Sequence, residues 1–129
     1  MLAELLAADD RISDSVAIEE AVWIREDAYP TGFGHGFAMP HCKSPSVRAN
    51  SIALLRLNQA VEWGSIDDAP VDVVILLAVR EADHRKEHMR VFSRLSRLVL
   101  REEFRHALMS TTDPAAICQV LQQQLAPAA

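Results

Sequence analysis

The sequence has little cysteine and no long apolar run. Its two cysteines, Cys42 and Cys118, lie far apart with no Cys-x-x-Cys spacing, which argues against a disulfide framework and against a zinc knuckle. No stretch approaches the roughly 18 apolar residues that a membrane helix needs, and Met1–Ala8 lacks the basic leader of a signal peptide. We therefore expect free thiols, no direct membrane insertion, and a cytoplasmic protein.

An excess of positive charge is also lacking. The 129 residues carry 13 Lys and Arg against 18 Asp and Glu, a net charge of −5, so the field of the molecule repels phosphate backbones and argues against nucleic acid as a partner. Half of the residues are apolar and 24% are charged, which is typical of a globular protein. The length predicts a single domain, residues 1–129.

The pattern of apolar residues predicts an α/β fold. Helical spacing predicts a helix over Ser15–Tyr29, which ends before Pro30. Two β-rich runs, Ser51–Leu57 and Val71–Val79, have the length of strands, and the second is so uniformly apolar that we expect it to be central and covered on both faces. The remaining pattern predicts three helices, His84–Leu100 capped by Asp83, Glu102–Met109, and Pro114–Leu125.

A glycine-rich loop separates the first helix from the strands. Gly32, Gly34 and Gly36 are three of the four glycines in the chain and lie within Pro30–Pro45. Because glycine and proline interrupt regular structure, the segment predicts a shaped loop with room for one short strand, Phe37–Met39.

Three polar residues do not fit a purely structural interpretation. His88 lies on the apolar face of its helix, where the alternative is a core histidine bonded to a backbone carbonyl. Arg25 lies on the apolar face of the first helix, where the alternative is favourable placement at the negative end of the helix dipole. His41 follows Pro40 at the end of the glycine-rich loop, where a histidine is also compatible with an ordinary surface residue.

Together these residues suit a phosphoryl group. The strand that ends at Val79 leads to a helix N-terminus, and ligands and anions bind at such positions. A neutral imidazole nitrogen of His41 can carry the group covalently, with His88 and Arg25 near its oxygens. His35, between two glycines, is a weaker candidate. A metal site at His41, Cys42 and His88 is disfavoured because adjacent ligands seldom reach one ion, and no cofactor is expected.

The residues around His41 resemble a known signature, that of the enzyme IIA domains of the fructose and mannitol type. These domains belong to the bacterial phosphoenolpyruvate-dependent sugar phosphotransferase system. The signature matches Arg25-Glu26 followed by Thr31–His41. Similarity continues at the turn and central strand Ile66–Leu77, and at Glu87-His88 with Leu95–Leu98 in the next helix, so that it covers nearly the whole chain.

The resemblance implies a function and a fold. The family's Ala-x-Pro-His motif falls on Ala38–His41, which makes His41 the phosphorylated residue, with Arg25 and His88 beside it. The implied fold is an α/β sandwich, a mixed β-sheet flanked by helices. The implied donor is the histidine phosphocarrier HPr, and the implied acceptor is a cysteine of an enzyme IIB domain, which passes the group to a sugar.

Departures from the family pattern leave two interpretations open. We expect the chain to lack the family's N-terminal strand, and therefore to be a shortened domain or a piece of a larger phosphotransfer protein. A regulatory module of the nitrogen-related branch, which controls partners through its phosphorylation state, is the alternative to sugar uptake. In either case we expect partners to dock on exposed apolar residues around the His41 loop, with Phe33 and Phe37 as candidates.

Overall fold

The computed structural model describes residues 7–8, 10–28, 32–65, 67, 69–80 and 85–125, without the side chains of residues 27–28, 33 and 85–89. The chain divides into two compact units, Met1–Asp83 and His84–Ala129. The first contains one long helix and the sheet: α1 (Ser15–Ala28), β1 (Gly32–Gly34), β2 (Phe37–Ala38), β3 (His41–Ser44), β4 (Ser51–Val61) and β5 (Val71–Arg80). The second contains α2 (Arg85–Val99), α3 (Glu102–Met109) and α4 (Pro114–Leu125).

Strand β5 is the centre of the mixed five-stranded sheet. Strands β2 and β3 pair with it in parallel, β4 pairs with it antiparallel, and β1 pairs antiparallel with β2. From Val71 to Val79 every β5 residue except Asp72 is buried. The prediction of a central strand covered on both faces is confirmed, because a near-continuous apolar run can be accommodated only where neither face meets water.

Helix α1 covers one face of this sheet. Ile18 is fully buried and packs in one cluster with Cys42 of β3 and with Leu76 and Ala78 of β5. The predicted end at Tyr29 lies outside the described residues, which include α1 up to Ala28. Since α1 packs against β3, its last turn is brought to the strand on which His41 lies.

The prediction of one short strand, Phe37–Met39, is wrong in its extent. The structure has β1, then β2 ending at Ala38, and then β3 beginning at His41. Phe37 faces Val73 and His41 faces Leu77, so β2 and β3 keep the same register against β5 across Met39 and Pro40. Because Pro40 has no N–H to donate to the ladder, the continuous extended segment is divided into two short strands, β2 and β3.

The second unit follows the predicted helical pattern. Leu95, Leu98 and Val99 of α2 are buried, whereas Arg90 and Arg97 are exposed. Helix α2 packs against α3 and α4. The apolar face predicted for this helix is confirmed for its described side chains, and the exposed arginines lie away from it.

Candidate functional site

The residue His41 begins β3, immediately after the Met39-Pro40 interruption. The Pro40 carbonyl accepts a hydrogen bond from the Leu77 N–H of β5 at 3.0 Å. Because successive carbonyls along a strand point in opposite directions, the Met39 carbonyl faces away from β5. The Met39 carbonyl oxygen is therefore free of β5 and can accept a hydrogen bond from the His41 ring.

The Met39 carbonyl determines which tautomer His41 adopts. His41 Nδ1 lies 3.1 Å from Met39 O. A carbonyl can only accept, so Nδ1 carries the hydrogen and donates it. In a neutral ring this leaves the lone pair on Nε2, the atom that can act as a nucleophile.

Arg25 lies in the last turn of α1 and binds the other nitrogen of the same ring. Its Nε donates to His41 Nε2 at 3.1 Å. Arg25 also lies at the negative end of the helix dipole, which is the alternative interpretation from the sequence. The contact with His41 is additional to that placement. The structure therefore brings together Arg25 and His41, two of the three residues predicted for the site.

The surroundings of His41 favour the neutral ring. Burial lowers the pKa of His41 below its usual value of 6.5, because removing water penalises the charged imidazolium. The hydrogen bond to Met39 opposes this change, and the nearby Arg25 charge adds to it, with a net lowering of the pKa. At neutral pH the ring thus presents an uncharged Nε2 lone pair, held by a cation that can also bind phosphoryl oxygens.

The other histidine predicted for the site, His88, is the fourth residue of α2, and its side chain lies outside the described part of the structure. Its predicted position near the phosphoryl group stays a prediction. His35 lies at the tip of the β1–β2 turn with an exposed side chain, and its backbone N–H donates to Asp67.

Cys42 adjoins His41 but points into the core. Its side chain is buried, and burial raises the pKa of its thiol to about 11, so the protonated form prevails at neutral pH. Among the described residues no group of three or more His, Cys, Asp or Glu side chains is arranged to hold a metal ion.

An apolar cavity of about 570 Å³ lies between α1 and the sheet, beside Pro40. Its lining is apolar except for three glutamates, and it comprises Ile18, Glu19, Val22, Trp23, Glu26, Pro40, Leu55, Leu57, Val61, Glu62, Trp63, Val74 and Leu76. Trp23 is 68% exposed, whereas Phe37 is only 2% exposed. The prediction that Phe37 belongs to an exposed docking surface is wrong, because the side chain packs into the core; Phe33 has no described side chain.

The carbonyl of Met39 is the functional group that sequence reasoning missed. Any residue type supplies a carbonyl, so no side-chain pattern identifies it. The one signal in the sequence for the role of this carbonyl is Pro40, since a proline between two β-strand segments indicates an interrupted ladder of hydrogen bonds.

These features define an α/β protein with a neutral, arginine-bound imidazole at a strand start, an arrangement suited to phosphoryl transfer. The described part of the chain contains no helix that is long and apolar enough to cross a membrane. The family model for the phosphoenolpyruvate-dependent sugar phosphotransferase system, EIIA 2, matches residues 1–124. The chain belongs to this family of phosphotransfer proteins.

Three comparisons place the chain among its relatives. It is 38% identical over 108 residues to multiphosphoryl transfer protein 2 of Escherichia coli, covering 84% of this chain but 13% of that protein. The nitrogen regulatory protein IIA-Ntr of Neisseria meningitidis has a similar structure, with a TM-score of 0.77 and 26% identity over 84% of this chain and 73% of that one. The complex of enzyme IIAMTL and phosphorylated enzyme IIBMTL from Escherichia coli matches with a TM-score of 0.73 and 21% identity, covering 95% of this chain and 83% of that one.

The structural likenesses confirm the predicted fold class, an α/β protein with a mixed β-sheet and helices. The chain spans about an eighth of the length of the multiphosphoryl transfer protein. Relatives include a fructose-specific component of the phosphotransferase system and nitrogen regulatory proteins, so family membership alone leaves the specific role open.

Proposed function

We propose that this chain is a phosphocarrier that holds a phosphoryl group on Nε2 of His41. The single observation that supports this most is the pair of hydrogen bonds on the ring, Nδ1 to the Met39 carbonyl and Nε2 from Arg25, each at 3.1 Å. The first leaves the lone pair on Nε2, and the second supplies a cation beside the atom that would receive the group.

The transfer step conserves atoms and charge in a simple way. The donor is a phosphorylated carrier of the HPr type, in which phosphorus is bonded to an imidazole nitrogen. The Nε2 lone pair of His41 forms a bond to phosphorus as the donor's phosphorus–nitrogen bond breaks, and that electron pair returns to the donor nitrogen. The hydrogen on Nδ1 stays in its bond to Met39, while Arg25 turns from Nε2 to the phosphoryl oxygens.

We propose a cysteine thiolate of an enzyme IIB domain as the acceptor, which the complex formed by the enzyme IIAMTL relative supports. The sulfur then attacks phosphorus, and the electron pair of the phosphorus–nitrogen bond returns to Nε2. His88 is proposed to contact the phosphoryl oxygens during both steps. A cytoplasmic location and the domain extent 1–129 remain predictions.

Intact-mass analysis after incubation with phosphoenolpyruvate, enzyme I and HPr tests the proposal. We expect the addition of one phosphoryl group that is labile in acid, as a phosphorus–nitrogen bond is. His41→Ala should abolish the addition, and His35→Ala, a matched change in the preceding turn, should retain it. Full labelling of the His41 variant would contradict the assignment.

A regulatory role is the second candidate, favoured by the likeness to IIA-Ntr. The two roles share the His41 chemistry and differ in the next step. Mixing the phosphorylated chain with an enzyme IIB domain separates them, because a transport component loses its group to the IIB cysteine. A chain that retains the group would instead support control of partner proteins by phosphorylation state.

A further inference from the structure

The turn between β1 and β2 adopts a backbone conformation that its sequence only partly favours. Gly34 faces Phe37 in the antiparallel pair, which leaves His35 and Gly36 as the two turn residues. Both have positive φ angles, 57° and 82°, as hairpin turns of type I′ require. Gly36 adopts such an angle without penalty, but His35 carries a Cβ and does so less readily. The turn is therefore one that an external contact can stabilise.

Asp67, in the connection between β4 and β5, makes that contact. Its Oδ2 accepts a hydrogen bond from the His35 N–H at 3.1 Å, and its Oδ1 accepts one from the Ala69 N–H, also at 3.1 Å. The carboxylate thus joins the tip of the turn to the loop that leads into β5. The two N–H donors, His35 first, lower the pKa of Asp67, so the ionised form that accepts both bonds persists.

The far side of the same turn is attached to β5 itself. The Gly36 carbonyl accepts from the N–H groups of both Asp72 and Val73 at 3.0 Å. The φ of 82° favours glycine at this position, whereas the Asp72 carboxylate oxygen that a Cβ on Gly36 would meet at 2.8 Å ends a side chain that can move aside. From this anchored residue only Phe37 and Ala38 intervene before Met39.

We propose that Asp67 is a positioning residue for the phosphoryl site, holding the β1–β2 turn so that the Met39 carbonyl stays in reach of His41 Nδ1. The inference rests on the proposed function of His41. Beyond Met39 the Pro40 carbonyl holds the chain to β5, but before it β2 contains only Phe37 and Ala38, so the turn contributes to fixing Met39 from its N-terminal side. When the turn shifts, the Nδ1 hydrogen loses its acceptor, and the Arg25 bond to Nε2 alone is left to disfavour the tautomer with its hydrogen on Nε2, which has no nucleophilic lone pair at that atom.

Nitrogen-15 NMR of the His41 ring, combined with phosphoryl transfer, tests this inference on the full chain. Asp67→Ala removes both acceptors, while Asp67→Asn keeps one amide oxygen and should restore part of the effect. Asp113→Ala is the matched control, since that exposed carboxylate accepts from the Ala115 N–H in the other unit. Gly36→Ala disturbs the same turn independently.

We expect the parent ring to carry its hydrogen on Nδ1, and Asp67→Ala to populate the Nε2–H form. We also expect acceptance of the phosphoryl group to slow by about tenfold or more, as misplacement of reacting groups does, with the KM for the donor carrier little changed. Thermal melts identify any loss that comes from unfolding. Unchanged ring signals in folded Asp67→Ala and Gly36→Ala, or a rate equal to that of Asp113→Ala, would overturn the inference. If the parent itself accepts no group, the proposed function fails, and the ring signals still decide whether Asp67 sets the tautomer.

Discussion

Replacing Arg25 by lysine separates the shape of its guanidinium from its charge. In the resting site the Arg25 Nε donates to His41 Nε2 at 3.1 Å, so the guanidinium already lies beside the atom that would receive phosphorus. The planar guanidinium can follow the phosphoryl group and donate to two of its oxygens at once, whereas a lysine ammonium offers a single point of charge on a flexible stem. Arg25→Lys keeps the charge and loses that geometry.

The expected magnitude follows from the loss of one oriented donor in a half-buried site. Removing such a donor costs about 2–4 kcal/mol of transition-state stabilisation, which slows transfer roughly 10²–10³-fold. Arg25→Met removes the charge as well. Burial, the larger cause, still lowers the pKa of His41 in that variant, but the contribution of the Arg25 charge is gone and the pKa rises. The acid limb of the rate profile should therefore move to higher pH in Arg25→Met and stay near its original position in Arg25→Lys.

Rapid mixing with phosphorylated HPr, one turnover at a time, measures the step directly. Arg48→Lys is the matched control, because Arg48 forms an exposed ion pair with Asp10 whose contribution to stability is small. Thermal melts of all variants show whether folding is affected. If both Arg25 variants transfer at the parent rate, or lose activity only in proportion to unfolded protein, the reasoning about Arg25 is wrong and the residue is structural.

Three further predictions use other parts of the site. His88→Ala should retain its affinity for the donor carrier but hold and pass the phosphoryl group poorly, and a parent-like rate in single-turnover transfer would contradict this. Native Cys42, whose thiol is buried with a pKa of about 11, should react with iodoacetamide much more slowly than exposed Cys118, which peptide mapping measures; equal labelling would refute the burial. Because the pKa of His41 is lowered on folding, the unfolded chain takes up the proton first, so the free energy of unfolding should decline as the pH falls below 6.5. Urea melts over mildly acidic pH check this, and His41→Gln should flatten the decline.

Much of the fold follows from patterns long enough to be unambiguous. The run Val71–Val79 predicts a central strand because eight of its nine residues are apolar, and the observed β5 extends only one residue further, to Arg80. Helix α2 follows equally from its apolar face. Of the short strands, the sequence predicts β2 with one residue too many, as Phe37–Met39, and does not predict β1 or β3, since two to four residues are too few to show alternation. Strand β4 extends to Val61, whereas the predicted strand ends at Leu57. The prediction ends early because the last residues of β4 are exposed and lack an apolar pattern.

For the site, the sequence predicts the functional side chains but not the backbone contacts that position them. Arg25 and His41 could be paired from the sequence because each is a polar residue in an unexpected place. The Met39 carbonyl and the Asp67 carboxylate could not, since their roles depend on where a turn and a strand meet. From the sequence, Asp67 is only one of three acidic residues in the connection between β4 and β5, with Glu62 and Asp68.

In the phosphocarrier that we propose, the half-buried position of His41 would serve one requirement and work against another. Burial keeps the imidazole neutral and its Nε2 lone pair ready, yet the same shortage of water penalises the negative charge that the phosphoryl group brings. The Arg25 cation beside Nε2 would offset that penalty by its charge, without taking part in the phosphorus–nitrogen bond. The same charge also lowers the pKa of the resting His41 ring. Arg25 at the end of α1 meets both needs from one side of the ring, while Met39 holds the hydrogen on the other side. A histidine placed in open solvent would bind the group without either advantage, and one that was fully buried without Arg25 would reject it.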